Sequence, residues 1–238
     1  GELQCIDQPR CRHKPRMIVF LRFPVKNKKK KSRALAGTYS NPPDRLRNVL
    51  VLASSSPYRR LLLERLRVPY SSASPDLDES PLPGEAPPHT AVRLAEAKAR
   101  AVAARFPGAI VIGSDQVAVL DGAPLGKPGS HAAALAQLLA MRGRSVVFHT
   151  ALCVLDTARG TCRTEDVPTT VQFREYSHAQ AERYLELEKP YDCAGSAKIE
   201  AMGIALVEKV VSTDPTALIG LPLIALVSLL REAGVEVL

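Results

Sequence analysis

The sequence predicts a single α/β domain built on a mixed β-sheet. Two observations carry this. From residue 48 onward, apolar runs of strand length alternate with segments of helical period, and turn signals join some strand-like runs directly. The apolar fraction of 46% supplies enough side chains for a sizeable core.

The elements follow in order. Asn48–Ala53 reads as a buried strand, and a helix opens near Pro57, a residue suited to the first helical position, with Leu61, Leu62, Leu63 and Leu66 as its inner face. The Pro/Ser/Asp-rich connection SPDLDESPLPGEAPP leads to a long helix, HTAVRLAEAKARAVAARF, and then to the strand AIVIGSD. VAVLDGAPLG reads as a hairpin turning on Asp121-Gly122. SHAAALAQLLA is a helix with Ser130 as its cap. Two strands around SVVFHTALCVLD and VPTTVQFREY are joined by a turn near Arg159-Gly160. Ser177 and Gln180 form a capping-box pattern for a helix through about Leu187. MGIALVEKVV reads as a strand, and GLPLIALVSLLREAG as a closing helix.

A formal charge of +8 suggests a nucleic-acid or membrane binder until its distribution is counted. Residues 1–48 hold 13 Lys/Arg against 3 Asp/Glu, a net of +10, and the remainder holds 19 against 21, a net of −2. The basic excess is therefore confined to the first segment. Its PVKNKKKKSR tract and scattered prolines predict a basic, disordered leader over residues 1–47, ahead of a domain over 48–238. Any nucleic-acid contact is expected only through that leader. MIVFLRFPV is too short, and too interrupted by Arg22 and Pro24, for a signal-peptide core or a membrane span. Cys5, Cys11, Cys153, Cys162 and Cys193 form no CxxC pair, and the five histidines have no HExxH spacing. That pattern suits reduced thiols in a cytoplasmic protein.

The chemistry is expected where charges sit in awkward places. Arg59 and Arg60 fall in the first turn of their helix, where the dipole disfavours cations. An anion bound there would resolve the conflict, with Ser54 and Ser56 adding hydroxyl donors; two solvated arginines are the plainer alternative. Lys98 lies in the middle of an apolar stripe formed by Ala91, Leu94, Ala95, Ala101 and Val102, where an ammonium needs a partner unless it snorkels to water. Lys127 stands in a loop, GKP. Asp115 follows the apolar run Ala109–Gly113 after one serine, and carboxyl ends of strands are where α/β folds place their sites; a turn or cap aspartate is the plainer alternative. Glu79 lies beside Asp76 and Asp78 in an acidic run that reads as a solvated loop or, since its oxygens suit the ion, as a Mg²⁺ site. Together these describe a metal–phosphate site.

The motifs LASSSPYRRLLL, DES, VRLAEAKA, GSDQV, GKP, CAGSAKIEAMGIAL and GLPLIAL, in this order over about 48–238, resemble the Maf-type nucleoside triphosphate pyrophosphatases, and more closely their 7-methyl-GTP branch. The resemblance implies an elongated mixed sheet flanked by helices, with two lobes around a cleft. It also implies Mg²⁺- or Mn²⁺-dependent hydrolysis of a nucleoside triphosphate to monophosphate and diphosphate. By the same resemblance Asp115 is the proton acceptor, Glu79 the second acid, and both are the metal-site carboxylates. Ser54, Ser56, Arg59, Arg60, Lys98 and Lys127 become the phosphate-side residues. Tyr58, Gln116 and Glu200 become the base-selecting ones, all on the 7-methylguanine side: an aromatic face suits a cationic ring and a carboxylate suits the guanine donor edge. The chain departs from the branch at Ala197 and Ile199, which flank Glu200. Expected partners are the nucleotide and, as a candidate assembly, a second copy of the chain. The competing expectations are dTTP/UTP or a broader set of non-canonical nucleotides, and a nucleotide-binding septum regulator with little turnover.

Overall fold

The computed structural model describes residues 49–238; the expected leader over 1–47 lies outside them. The strands are β1 (Leu50–Ala53), β2 (Tyr70–Ala73), β3 (Ile110–Leu120), β4 (Ala123–Leu125), β5 (Ser145–Asp156), β6 (Thr161–Phe173) and β7 (Val207–Ser212). The α-helices are α1 (Pro57–Leu63), α2 (Pro87–Ala103), α3 (His131–Met141), α4 (His178–Glu188) and α5 (Leu223–Glu232).

The strands form one mixed sheet in the order β2-β1-β3-β5-β6-β7, with β4 also on β3. β1 runs parallel to β2 and β3, and every other pairing is antiparallel. The expected α/β class with a mixed sheet is what the chain forms. Successive side chains of a strand take opposite faces, and the core obeys this. Leu50, Leu52, Ile110, Ile112, Leu152 and Val154 pack with α1 and α5 on one face. Val51, Ala53, Val111, Ala151, Cys153 and Leu155 pack with α2 on the other. A separate cluster, including Phe148, Phe173, Leu138 and Leu185, lies at the far end of the long strands with α3 and α4. The long strands thus run through two lobes.

Caps and turns agree with the sequence reading. Asp121 (φ 50°) and Gly122 (φ 81°) make the β3–β4 hairpin turn. Ser130 caps α3, and Ser177 with Gln180 forms the capping box of α4. Three expectations need correction, and one strand was missed. Leu61 is exposed while Leu62 and Leu63 are buried, because three successive helical residues fan over about 200° and cannot share a face. β3 does not end at Asp115 but continues to Leu120 against β5. The MGIAL part of the expected strand is a 3₁₀ turn over Met202–Leu206, since Gly203 N–H donates to Lys198 O at 2.9 Å and the chain folds back there; only Val207–Ser212 is strand. β2, YSSA, was not expected at all: both serines are exposed, so no apolar alternation marks it.

One consequence of the register positions the site. β1 covers one edge of β3 only as far as Gly113, and β4 takes up that edge again at Ala118. Among the described residues, no strand covers Ser114–Val117 on that side.

Candidate active site

A cleft of about 710 Å³ opens at this uncovered edge. α2 forms one wall, and its approach is unusually close. A Cβ on Gly113 would collide with Ala95 O and lie 2.9 Å from Ala99 N, so only glycine fits there. The small face Ala91, Ala95, Ala99 lets the helix descend onto β3. Asp115 lies two residues beyond Gly113 and so on the same face of the sheet.

That approach brings Lys98 to Asp115. Lys98 Nζ donates to Asp115 Oδ1 at 2.6 Å and to Glu79 Oε2 at 2.8 Å. The Lys98 and Asp115 side chains are buried, whereas Glu79 is half in solvent. The ammonium in the apolar stripe therefore has the partners it requires. Burial pushes the Asp115 carboxyl above the ordinary carboxylate range, against the pull of Lys98 and Arg59, and Glu79 adds to the rise. The loop after Glu79 is bolted to α2. Arg93 donates to Ser80 O at 3.1 Å and to both oxygens of Glu85, at 2.6 and 2.8 Å.

The two arginines of α1 part company. Arg59 lines the cleft, and its Nε donates to Gly220 O at 2.8 Å; burial lowers its pKa, with Asp115 and Glu79 opposing. Arg60 turns aside and donates from Nη1 to Ser55 O at 3.0 Å. It is the one member of the expected phosphate-side set that does not line the cleft. Ser54 Oγ accepts from Ser56 N–H at 3.1 Å, and Ser56 Oγ accepts from Arg59 N–H at 3.4 Å, so both hydroxyl protons stay available. Exposed Lys127 lines the cleft from the loop after β4.

Tyr58, Gln116 and Glu200 line the same cleft. Burial raises the Tyr58 phenol, with Lys198 opposing, so the ring is a neutral aromatic face. Glu200 is exposed, flanked by the lining residues Ala197 and Ile199. Sequence reasoning missed the segment Ala217–Gly220. Its carbonyls receive Thr150 Oγ1, Gln116 Nε2, Ser114 Oγ and Arg59 Nε. The only signal pointing there was the GLPLIAL motif, whose first residue is Gly220.

Glu79 and Asp115 offer hard oxygen donors, as Mg²⁺ or Mn²⁺ prefers. Among the described residues no cluster of three or more His, Cys, Asp or Glu could hold a metal by itself. Two carboxylates fit an ion that completes its shell with substrate phosphates and water.

The structure is an open α/β sheet with a carboxylate–lysine–arginine cluster lining a cleft at an uncovered strand edge. The family model described as Maf-like protein matches residues 49–233, and this chain belongs to that family. It is 60% identical over 188 residues to the 7-methyl-GTP pyrophosphatase of Cupriavidus metallidurans, covering 79% of this chain and 94% of the relative. It is 61% identical over 187 residues to the protein of that name from Ralstonia nicotianae, covering 79% and 96%. Against that of Methylobacillus flagellatus it is 58% identical over 189 residues, covering 79% and 98%. Among the described residues no helix is long and apolar enough to cross a membrane.

Proposed function

We propose that this protein hydrolyses 7-methyl-GTP to 7-methyl-GMP and diphosphate. The observation that carries the reading is the Asp115–Lys98–Glu79 cluster, which shares one cleft with Arg59, Tyr58, Gln116 and Glu200. The names of the relatives point to the same substrate.

In this reading Arg59, Lys127 and the Ser54 and Ser56 hydroxyls hold the triphosphate and stabilise charge developing on the departing diphosphate. Asp115 accepts a proton from the water that attacks the α-phosphorus, and the bond between the α-phosphorus and the bridging oxygen breaks. The raised proton affinity of Asp115 suits it to that work. Glu79 and Asp115 are the residues that would hold Mg²⁺ or Mn²⁺, which supplies Lewis-acid neutralisation of the phosphate oxygens. Tyr58 stacks on the cationic methylated ring, and Glu200 accepts from its N1–H and N2–H₂ edge. The free thiols Cys153, Cys162 and Cys193 suit a reducing, cytoplasmic location.

Diphosphate release across 7-methyl-GTP, GTP, dTTP and UTP tests the reading, with Glu200→Gln beside the wild type. The expected result is a preference for 7-methyl-GTP that Glu200→Gln lowers about ten- to a hundred-fold in kcat/KM, because a donor then faces donors. Equal losses across the panel would overturn the base assignment, and absence of turnover would overturn the enzyme.

A further inference from the structure

Gln116 and Thr150 are directly opposed across β3 and β5. Gln116 Nε2 lies 2.8 Å from Thr150 Oγ1 and 3.1 Å from each of Ala217 O and Leu218 O. A backbone carbonyl can only accept, so two of these neighbours determine which end of the amide faces them. Turned over, Oε1 would meet two carbonyl oxygens. Thr150 strengthens the same choice. Its hydroxyl is fully buried and donates to Ala217 O at 3.0 Å, so the oxygen has no second proton to offer and only accepts from Gln116. Oε1 is then the amide's one polar atom with no hydrogen-bond partner among the described residues, on a side chain that lines the cleft.

We propose that Thr150 is a positioning residue that, with the Ala217 and Leu218 carbonyls, locks the Gln116 amide so that the cleft presents a fixed acceptor to the nucleobase. The Glu200 carboxylate adds a second acceptor on the same cleft. Two acceptors select an edge carrying adjacent donors, as guanine does. They disfavour uracil and thymine, whose single ring N–H is flanked by two carbonyl oxygens. The inference rests on the reading of the cleft as a nucleotide site, and it does not depend on the 7-methyl group.

The variants Thr150→Val, which keeps the shape and removes the hydroxyl, and Thr150→Ser, which restores it, test the lock on the full chain. The readouts are the ratio of kcat/KM for GTP to that for UTP, and hydrogen exchange of the Gln116 side-chain amide followed by NMR, with thermal unfolding as a check on folding. In Thr150→Val the ratio should fall about tenfold, the loss expected when one polar contact is no longer oriented, and the amide protons should exchange faster. Thr150→Ser should bring both back toward wild type. A Thr150→Val enzyme that keeps the ratio, amide protons that exchange equally in both variants, or a Thr150→Ser enzyme as deficient as Thr150→Val would each overturn the positioning role. A wild type without preference for guanine, its Gln116 amide still protected, would instead overturn the base assignment of the cleft and the selectivity inferred from the lock.

Discussion

Replacing Lys98 by methionine removes the ammonium between two carboxylates while keeping a long, flexible side chain in the apolar stripe. The two ion pairs it breaks are unequal. Glu79 leaves 53% of its side chain exposed, so its contact contributes about 1 kcal/mol or less. Asp115 is only 8% exposed and faces a lysine that is 6% exposed. Stripping one partner from a buried pair costs about 3–5 kcal/mol, because the other charge stays buried without it. Arg59 still favours the ionised Asp115, so the lower end applies, about 3 kcal/mol near neutral pH. The sign with pH follows from the direction of the Asp115 shift. A carboxyl raised in the folded state costs stability in full above its folded pKa and none below its unfolded pKa, so the deficit should narrow as acid protonates Asp115. The double variant Lys98→Met/Asp115→Asn removes both charges and should recover at least half of the loss. Urea unfolding at pH 7 and pH 5 measures all three proteins. A loss below about 1 kcal/mol in Lys98→Met, or a double variant no more stable than the single one, would refute the reasoning.

Three further outcomes are expected. Asp115→Asn should stay folded and lose about 10²–10⁴ in kcat, the range for a missing general base, and retention of a tenth of wild-type turnover would contradict its role. Gly113→Ala should lower the unfolding free energy by at least the overpacking cost of about 1–3 kcal/mol, since its Cβ meets helix backbone rather than a yielding side chain; an unchanged unfolding free energy would show that α2 is not pressed onto β3. Hydrogen bonding from Arg93 lowers the Glu85 pKa from 4.5 to about 2, so the stability it gives is present above 4.5 and disappears as pH falls through about 2. The difference in unfolding temperature between wild type and Glu85→Gln, followed from pH 6 to pH 2, should therefore close over that window, and a constant difference would refute the pairing.

What was legible in the sequence had a cost attached to it. Lys98 stood out because an ammonium in an apolar stripe demands a counter-charge, and the structure supplies two. The arginines of α1 stood out for the same reason. The pattern could not separate them, although about 100° of rotation per residue allows only one to face the cleft. The strands with apolar runs were legible, and β2 was not, because its serines face solvent. The Ala217–Gly220 segment acts through backbone carbonyls, and a carbonyl leaves no trace in side-chain composition. Gly113 carried no turn signal either, because its role is to let another backbone approach.

In the proposed function, the open edge of β3 would let neighbouring residues serve different parts of one substrate. Asp115 and Gln116 are adjacent, so the pleat sends their side chains to opposite faces of the sheet. In the interior of a sheet those faces are sealed from each other by strands on both sides. Here β1 stops at Gly113 and β4 begins at Ala118, so both faces of Ser114–Val117 open into one cleft. The α2 face then holds Asp115 with Lys98, and the face toward Ala217–Gly220 holds the Gln116 amide. Gly220 O accepts from Arg59 and from Ser114 at the edge itself. A one-residue shift of β3 would turn Gln116 toward Lys98 and Asp115 toward the Ala217 and Leu218 carbonyls, leaving an anion against two acceptors. The register is therefore held from both faces by the same groups that form the site.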